Sequence, residues 1–354
     1  MKKMLSLAAM LAVISYASPA SAELKIGGDA SVRVRSEFND YEINSTHLYD
    51  SEDLKYQYRI RLKASADLGD GYFFKALVQN EDYAGSWATV SDNNTETYGL
   101  DVSNFYFGRM MEDSHYQIGR LPLNSFNNPI FDLALYPTSP VDVPVATYNF
   151  DRVFGLNYGT KVGNGDLNAT LVVLDNNSNT AGDKGLFNDG YVLHVDYKTT
   201  LGNVTIEPQA LIALTDLSGK DFSNISPNTF GANAIIPAGD AKIGLSAFYT
   251  ICDDTNPDTN LHVDYNGYLL RLKAESGPVM AWIDYNRTNL NAPMDETYDN
   301  LFVWAQYNVK VHESALGTFS VTPTIRYRAS GEDSSGVTFD NSQLRAELYA
   351  TVTF

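Results

Sequence analysis

The sequence predicts an all-β protein, a transmembrane antiparallel up-and-down β-barrel of sixteen strands. Three observations carry this reading. Apolar and polar residues alternate in runs longer than ordinary strands, the links between runs are alternately long and short, and the last run closes on an aromatic residue. The clearest run sets Leu54, Tyr56, Tyr58, Ile60, Leu62, Ala64, Ala66 and Leu68 against Lys55, Gln57, Arg59, Arg61, Lys63 and Asp67. Globular strands usually last about five or six residues, whereas a dyad repeat of about ten is the pattern of a strand crossing a membrane.

The first residues read as a leader. Lys2-Lys3 is a basic start, Leu5 to Ala17 a short apolar core, and Ala20-Ser21-Ala22 a small-x-small cleavage site. These are the parts of a secretory signal peptide in their order; a spanning helix would need about 20 apolar residues. Cleavage after Ala22 leaves residues 23–354 as a single domain, and losing two lysines and no acid takes the net charge from −18 to −20. An acidic exported chain without a basic run argues against nucleic acid as a partner. The one cysteine, Cys252, allows no disulfide framework. Mean hydropathy is −0.23, and 23 Tyr and 17 Phe are punctuated throughout by Gly, Asn, Asp and Thr. That balance suits strands, in a large sandwich or a barrel.

The elements follow in order. The first run, 24–38, alternates Leu24, Ile26, Gly28, Ala30, Val32 and Val34 with Lys25, Asp29, Ser31, Arg33 and Arg35; the second is 54–68. The same period recurs over 72–82, 97–109, 114–121, 150–160, 166–175, 189–200, 204–215, 229–236, 241–251, 264–275, 279–288, 300–311, 318–329 and 343–354. In 97–109, Phe105 and Phe107 fall out of phase with Leu100 and Val102, which requires a bulge near Ser103-Asn104. Fourteen or eighteen strands stay open as alternative counts. Long gaps at 39–53, 83–96, 122–149, 176–188, 216–228, 252–263, 289–299 and 330–342 alternate with short ones such as Gly69-Asp70-Gly71, Leu201-Gly202-Asn203 and Ser276-Gly277-Pro278. Greek-key crossings would disturb such an alternation in a sandwich. A membrane barrel with tight inner turns and longer external loops keeps it.

The chain ends Leu344-Arg345-Ala346-Glu347-Leu348-Tyr349-Ala350-Thr351-Val352-Thr353-Phe354. With its terminal Phe354, this strand looks like an assembly signal for barrels of the bacterial outer membrane. Together with the leader and sixteen strands, the chain resembles the bacterial porins, of the general-diffusion, sixteen-stranded type. The resemblance implies an integral outer-membrane protein, a water-filled channel for passive diffusion of ions and small hydrophilic solutes, and a homotrimer. It also implies contact with the barrel assembly machinery, outer-membrane lipid and lipopolysaccharide. In that family the third external loop folds into the barrel. The matching gap here, 122–149, is rich in proline (Pro122, Pro129, Pro137, Pro140, Pro144) and apolar residues (Phe126, Ile130, Phe131, Leu133, Leu135, Tyr136). Exposed loops are usually more polar. A constriction loop fits this composition, and a surface loop touching lipid or a neighbouring subunit stays open. The Pro-Glu-Phe-Gly-Gly-Asp loop motif of enterobacterial porins is absent.

Candidate site residues follow from strand phase. Arg33 and Arg35, Arg59, Arg61 and Lys63, Lys75, Arg326 and Arg328, and Arg345 share the inward face of strands that closure makes neighbours. Arginine is always charged and needs water or an acid beside it, so this basic wall implies an aqueous lumen. Asp132, Asp142 and Asp151 are the expected opposing acids of the constriction loop and of the strand that follows it. External acids, among them Asp50, Glu52, Asp253, Asp254, Asp258, Asp295, Glu296 and Glu332, are solvated or hold Ca or Mg loosely between lipopolysaccharides. No cofactor is expected. His47, His115, His194, His262 and His312 lack metal spacing. A barrel enzyme would need a serine and a histidine together, and neither a G-x-S-x-G turn nor a convincing His-x-Ser pair occurs. A channel preferring small anions and a structural or adhesin barrel remain as alternatives. Acidic loops concentrate cations at the mouth at low salt, and the basic wall opposes them as ionic strength rises.

Overall fold

The protein is described by a computed structural model covering residues 23–80, 87–94, 99–122, 129–130, 152–176, 189–217, 225–256 and 259–354. Its strands are β1 (Glu23–Ile43), β2 (Thr46–Gly69), β3 (Tyr72–Gln79), β4 (Asp101–Met110), β5 (Ser114–Pro122), β6 (Arg152–Val162), β7 (Gly165–Asp175) and β8 (Gly190–Leu201). They continue as β9 (Val204–Ala213), β10 (Asn228–Ala238), β11 (Ala241–Thr255), β12 (His262–Ser276), β13 (Val279–Ala292), β14 (Glu296–Tyr307, prolonged by Val309–Ser314), β15 (Gly317–Ser334) and β16 (Val337–Thr353). Each pairs antiparallel with the next, and β1 pairs with β16 from Asp29↔Thr353 to Ile43↔Phe339, so the sheet closes. All sixteen periodic runs are strands of this barrel.

The period is a consequence of two solvents. Outward Val32 and Val34 are 58% and 40% exposed, while Arg33 and Arg35 between them are 3% and 8% exposed. Exposed apolar and buried charged residues invert the order of a soluble protein, as lipid outside and polar contents inside require. The bulge in β4 has the same cause. Leu77 pairs with Asn104 and Val78 with Val102, which leaves Ser103 as the extra residue. Val102, Phe105 and Phe107 thereby all reach the exposed face.

Four gaps read as long loops are in large part strand among the described residues. The gap 39–53 is a hairpin turning at Asn44-Ser45, with φ of 49° and 60°, and 330–342 turns at Ser335-Gly336, with φ of 55° and 81°. Likewise β11 and β12 extend to Thr255 and His262, and β13 and β14 to Ala292 and Glu296. Beyond the membrane both faces meet water, so the hydrophobic alternation fades while the backbone ladder continues. Two positive-φ residues supply the tight turn.

At the opposite end Gly69, Gly163, Gly202, Gly239 and Gly277 all take positive φ in short turns. Gly71 (φ 80°) has a second constraint, because a Cβ there would lie 2.0 Å from the Met110 carbonyl oxygen. Gly239 (φ 61°) has nothing within 4 Å. Gly239→Ala is therefore expected to cost only the left-handed strain, about 1–2 kcal/mol. Gly71→Ala is expected to lower the folded yield far more. Urea unfolding midpoints of the two lipid-refolded variants check the difference.

Candidate functional site

Closure sets β15, β16, β1, β2 and β3 side by side, and their inward faces form a basic wall. Glu347, whose side chain is wholly buried, is its hub. Its carboxylate accepts from Arg35 Nε (2.5 Å), lies 2.8 Å from Arg326 Nε and 3.4 Å from Arg33 Nη1, and accepts from the Tyr349 hydroxyl (2.6 Å). The same hydroxyl accepts from Arg33 (3.2 Å) and Arg326 (2.7 Å). Glu37, also buried, joins Arg35 (3.0 Å), Arg345 (3.0 Å) and Lys55. Asp29 takes Arg61 at 3.0 Å and Arg59 at 4.0 Å. A charge buried without its partner is strongly unfavourable, and Asp29, Glu37 and Glu347 supply the partners of Arg33, Arg35, Arg59, Arg61, Arg326 and Arg345.

Aromatic rings finish the wall. Trp87 lies with the Arg33 and Arg59 guanidinium carbons 4.3 and 4.5 Å from its ring centre and the Tyr349 ring 5.5 Å away. It reaches this place because Ala88–Thr89 pairs with β2 at Gln57 and Tyr58, beyond the end of β3. Arg326 lies 3.5 Å from the Trp304 ring centre, and Trp304 stacks on Trp282 at 4.5 Å. Lys63 and Lys75, nearer the short-turn end, are exposed, and Arg328 is half-buried opposite Gln343.

The facing wall is different. Leu121, Val153, Val172, Val192, Leu211, Phe248 and Leu269, from β5 to β12, form a buried cluster with Ile130. Ile130 belongs to the third external loop and is 0% exposed, so the loop reaches the inner wall there. Leu217, from the fifth external loop, joins the same cluster. Beside it, burial and the charge of Asp254 hold the Asp216 carboxyl above the usual carboxylate range.

Strand phase collected the nine basic residues into one region but missed Asp29, Glu37 and Glu347. Each sits two residues or a multiple of two from an inward arginine, and that parity was the available signal. Trp87 carried no such signal, because it lies outside the periodic run. Asp132, Asp142 and Asp151 lie outside the described residues, as does Asp258. Of the external acids, Asp253 bonds His262 (3.0 Å) and Asp254 accepts from Ser226 (2.5 Å). Among the described residues no three His, Cys, Asp or Glu side chains converge as a metal site.

A protein-family model described as Gram-negative porin matches residues 6–317. No curated protein sequence matches the chain. Among solved structures, the anion-selective porin from Comamonas acidovorans is 14% identical, with 94% of this chain and 100% of that one covered and a TM-score of 0.57. The outer-membrane channel DcaP of Acinetobacter baumannii is 13% identical over 95% and 99%, with a TM-score of 0.58. OmpT of Vibrio cholerae in a trimer form is 12% identical over 92% and 99%, with a TM-score of 0.52. At these identities the likeness is one of fold.

The network makes one residue critical. Glu347→Ala leaves three guanidinium groups facing one another and is expected to cost about 3–5 kcal/mol of barrel stability. Tyr349→Phe, which removes only a hydroxyl, is expected to cost about 1 kcal/mol. Urea titration of both variants in lipid vesicles measures the contrast.

Proposed function

This chain belongs to the Gram-negative porin family, and we propose that its channel favours small anions, drawn along the basic wall. The protein is an integral outer-membrane porin through which ions and small hydrophilic solutes diffuse passively. Family and fold are those of a channel rather than an enzyme.

The charge balance of the wall carries the anion reading. Ten basic side chains (the nine found by phase, and Lys55) stand against six acids in the same strand phases, Asp29, Glu37, Asp53, Asp67, Glu332 and Glu347. Charges beside a narrow passage act at short range, whereas loop acids in water are screened beyond about 10 Å at 0.1 M salt. Anion preference is thus strongest at high salt and shifts towards cations at low salt. The anion selectivity of the Comamonas porin supports the same reading. In this proposal Asp132 and Asp142 oppose the wall from the third loop.

The protein acts as a homotrimer, with the flat outward residues Gly28 and Ala30 of β1 and Ala346 and Ala350 of β16 as the contact. OmpT in its trimer form supports this. Phe354 serves as the signal read by the barrel assembly machinery. Its backbone exchanges hydrogen bonds with Gly28 (2.8 and 3.0 Å), and its ring lies on the exposed face in phase with Leu348 and Val352. External acids meet lipopolysaccharide, directly or through loosely held Ca or Mg.

Neutralising Arg33, Arg59 and Arg326 together is expected to move the reversal potential under a salt gradient towards cations, and Asp132→Asn with Asp142→Asn towards anions. An unmoved potential in the triple variant sinks the anion reading. Deleting Phe354 is expected to cut the heat-modifiable trimer sharply while export continues. A single-chain mass for the mildly extracted wild type contradicts the trimer.

A further inference from the structure

External loops of a membrane barrel are expected in water, yet the fifth loop buries its two apolar ends. After β9, Leu214 N donates to Tyr191 O (2.9 Å), and Thr215 Oγ1 donates to Asp189 O (2.6 Å) while accepting from Tyr191 N (2.8 Å). These bonds pin the chain to the head of β8. Leu217 and Ile225 then exchange backbone hydrogen bonds of 2.7 and 3.1 Å, and their side chains are 2% and 1% exposed.

The two side chains enter different clusters. Leu217 packs with Ile130 of the third loop and the inner wall from β5 to β12. It lies over Gly190, where a Cβ would come 2.9 Å from Leu217 Cδ2, so glycine makes room for it. Ile225 packs with Cys252, Val263, Tyr265, Leu290 and Tyr298 at the external ends of β11 to β14. Ser226 ties the outgoing chain to Asp254. One backbone bridge therefore joins two buried clusters of the inner wall, the first of which also holds Ile130 of the third loop.

We propose that Leu217 and Ile225 are positioning residues of the channel: they seat the fifth loop on the inner wall, brace Ile130 of the third loop, and confine solutes to the basic wall. The proposal rests on the anion reading above and adds the device that keeps ions close to the arginines. Without it, ions pass through a wider lumen, farther from the fixed charge.

Cys252, the single cysteine of the chain, lies against Ile225 and is 1% exposed, which makes it a native reporter. The experiment treats the folded protein with a charged methanethiosulfonate reagent and records single-channel conductance and reversal potential. Wild type is expected to resist labelling. Ile225→Asp is expected to expose Cys252, and Leu217→Asp to raise conductance by roughly half or more, both with weaker anion preference. Ile225→Val is expected to behave as wild type. If the aspartate variants do not fold, Ile225→Ala and Leu217→Ala take their place with the same readouts. Labelling of Cys252 without a change in conductance overturns the proposal, as does a folded variant changed in neither. A wild type without anion preference refutes the earlier reading instead, and the conductance change still reports on the loop.

Discussion

Closure of the backbone ladder is the constraint on which the rest of the structure depends. Lipid offers no partner to an unpaired N–H or C=O, so a sheet crossing it has to end on its own beginning. Here β1 meets β16 along fifteen paired residues, from Asp29↔Thr353 to Ile43↔Phe339, and Gly28 with Phe354 extends the seam. Closure also creates the site. Arg33 and Arg35 lie more than three hundred residues from Glu347, and nothing but the seam brings them within 3.4 Å of it.

The lumen that closure encloses is divided by chemistry. One wall is a network in which acids hold arginines in fixed positions, with Trp87, Tyr349 and Trp304 against their planes. Guanidinium groups suit this work because a planar, weakly hydrated cation can pair with a carboxylate and stack on a ring together. The opposite wall is apolar over much of its external half and receives Ile130 and Leu217. Ile130 and Leu217 leave water for that wall, while Arg33, Arg35 and Arg326 are buried against their acids. The burial of the two loop residues is the same hydrophobic effect that packs an ordinary core.

Sequence by itself determined the element list, because each strand is sampled by two solvents at a period of two. Leu54 to Leu68 could only be a strand with lipid on one side, and the phase slip before Phe105 located a bulge to within a residue. The same reasoning ended where the period ended. Asn39 to Asp53 and Ser330 to Ser342 are strands with water on both faces, and neither composition nor alternation marks them. The tertiary structure alone decided the site's inner economy. Phase placed Arg33, Arg59, Arg326 and Arg345 on one wall, but the ion pairs through Glu37 and Glu347 depend on cross-strand register between distant segments. The burial of Leu217 and Ile225 depends on the space left by Gly190 and on the rim of β11 to β14. Periodicity is a local record of which solvent each residue meets; register and packing are distances between segments, and those exist only once the barrel has closed.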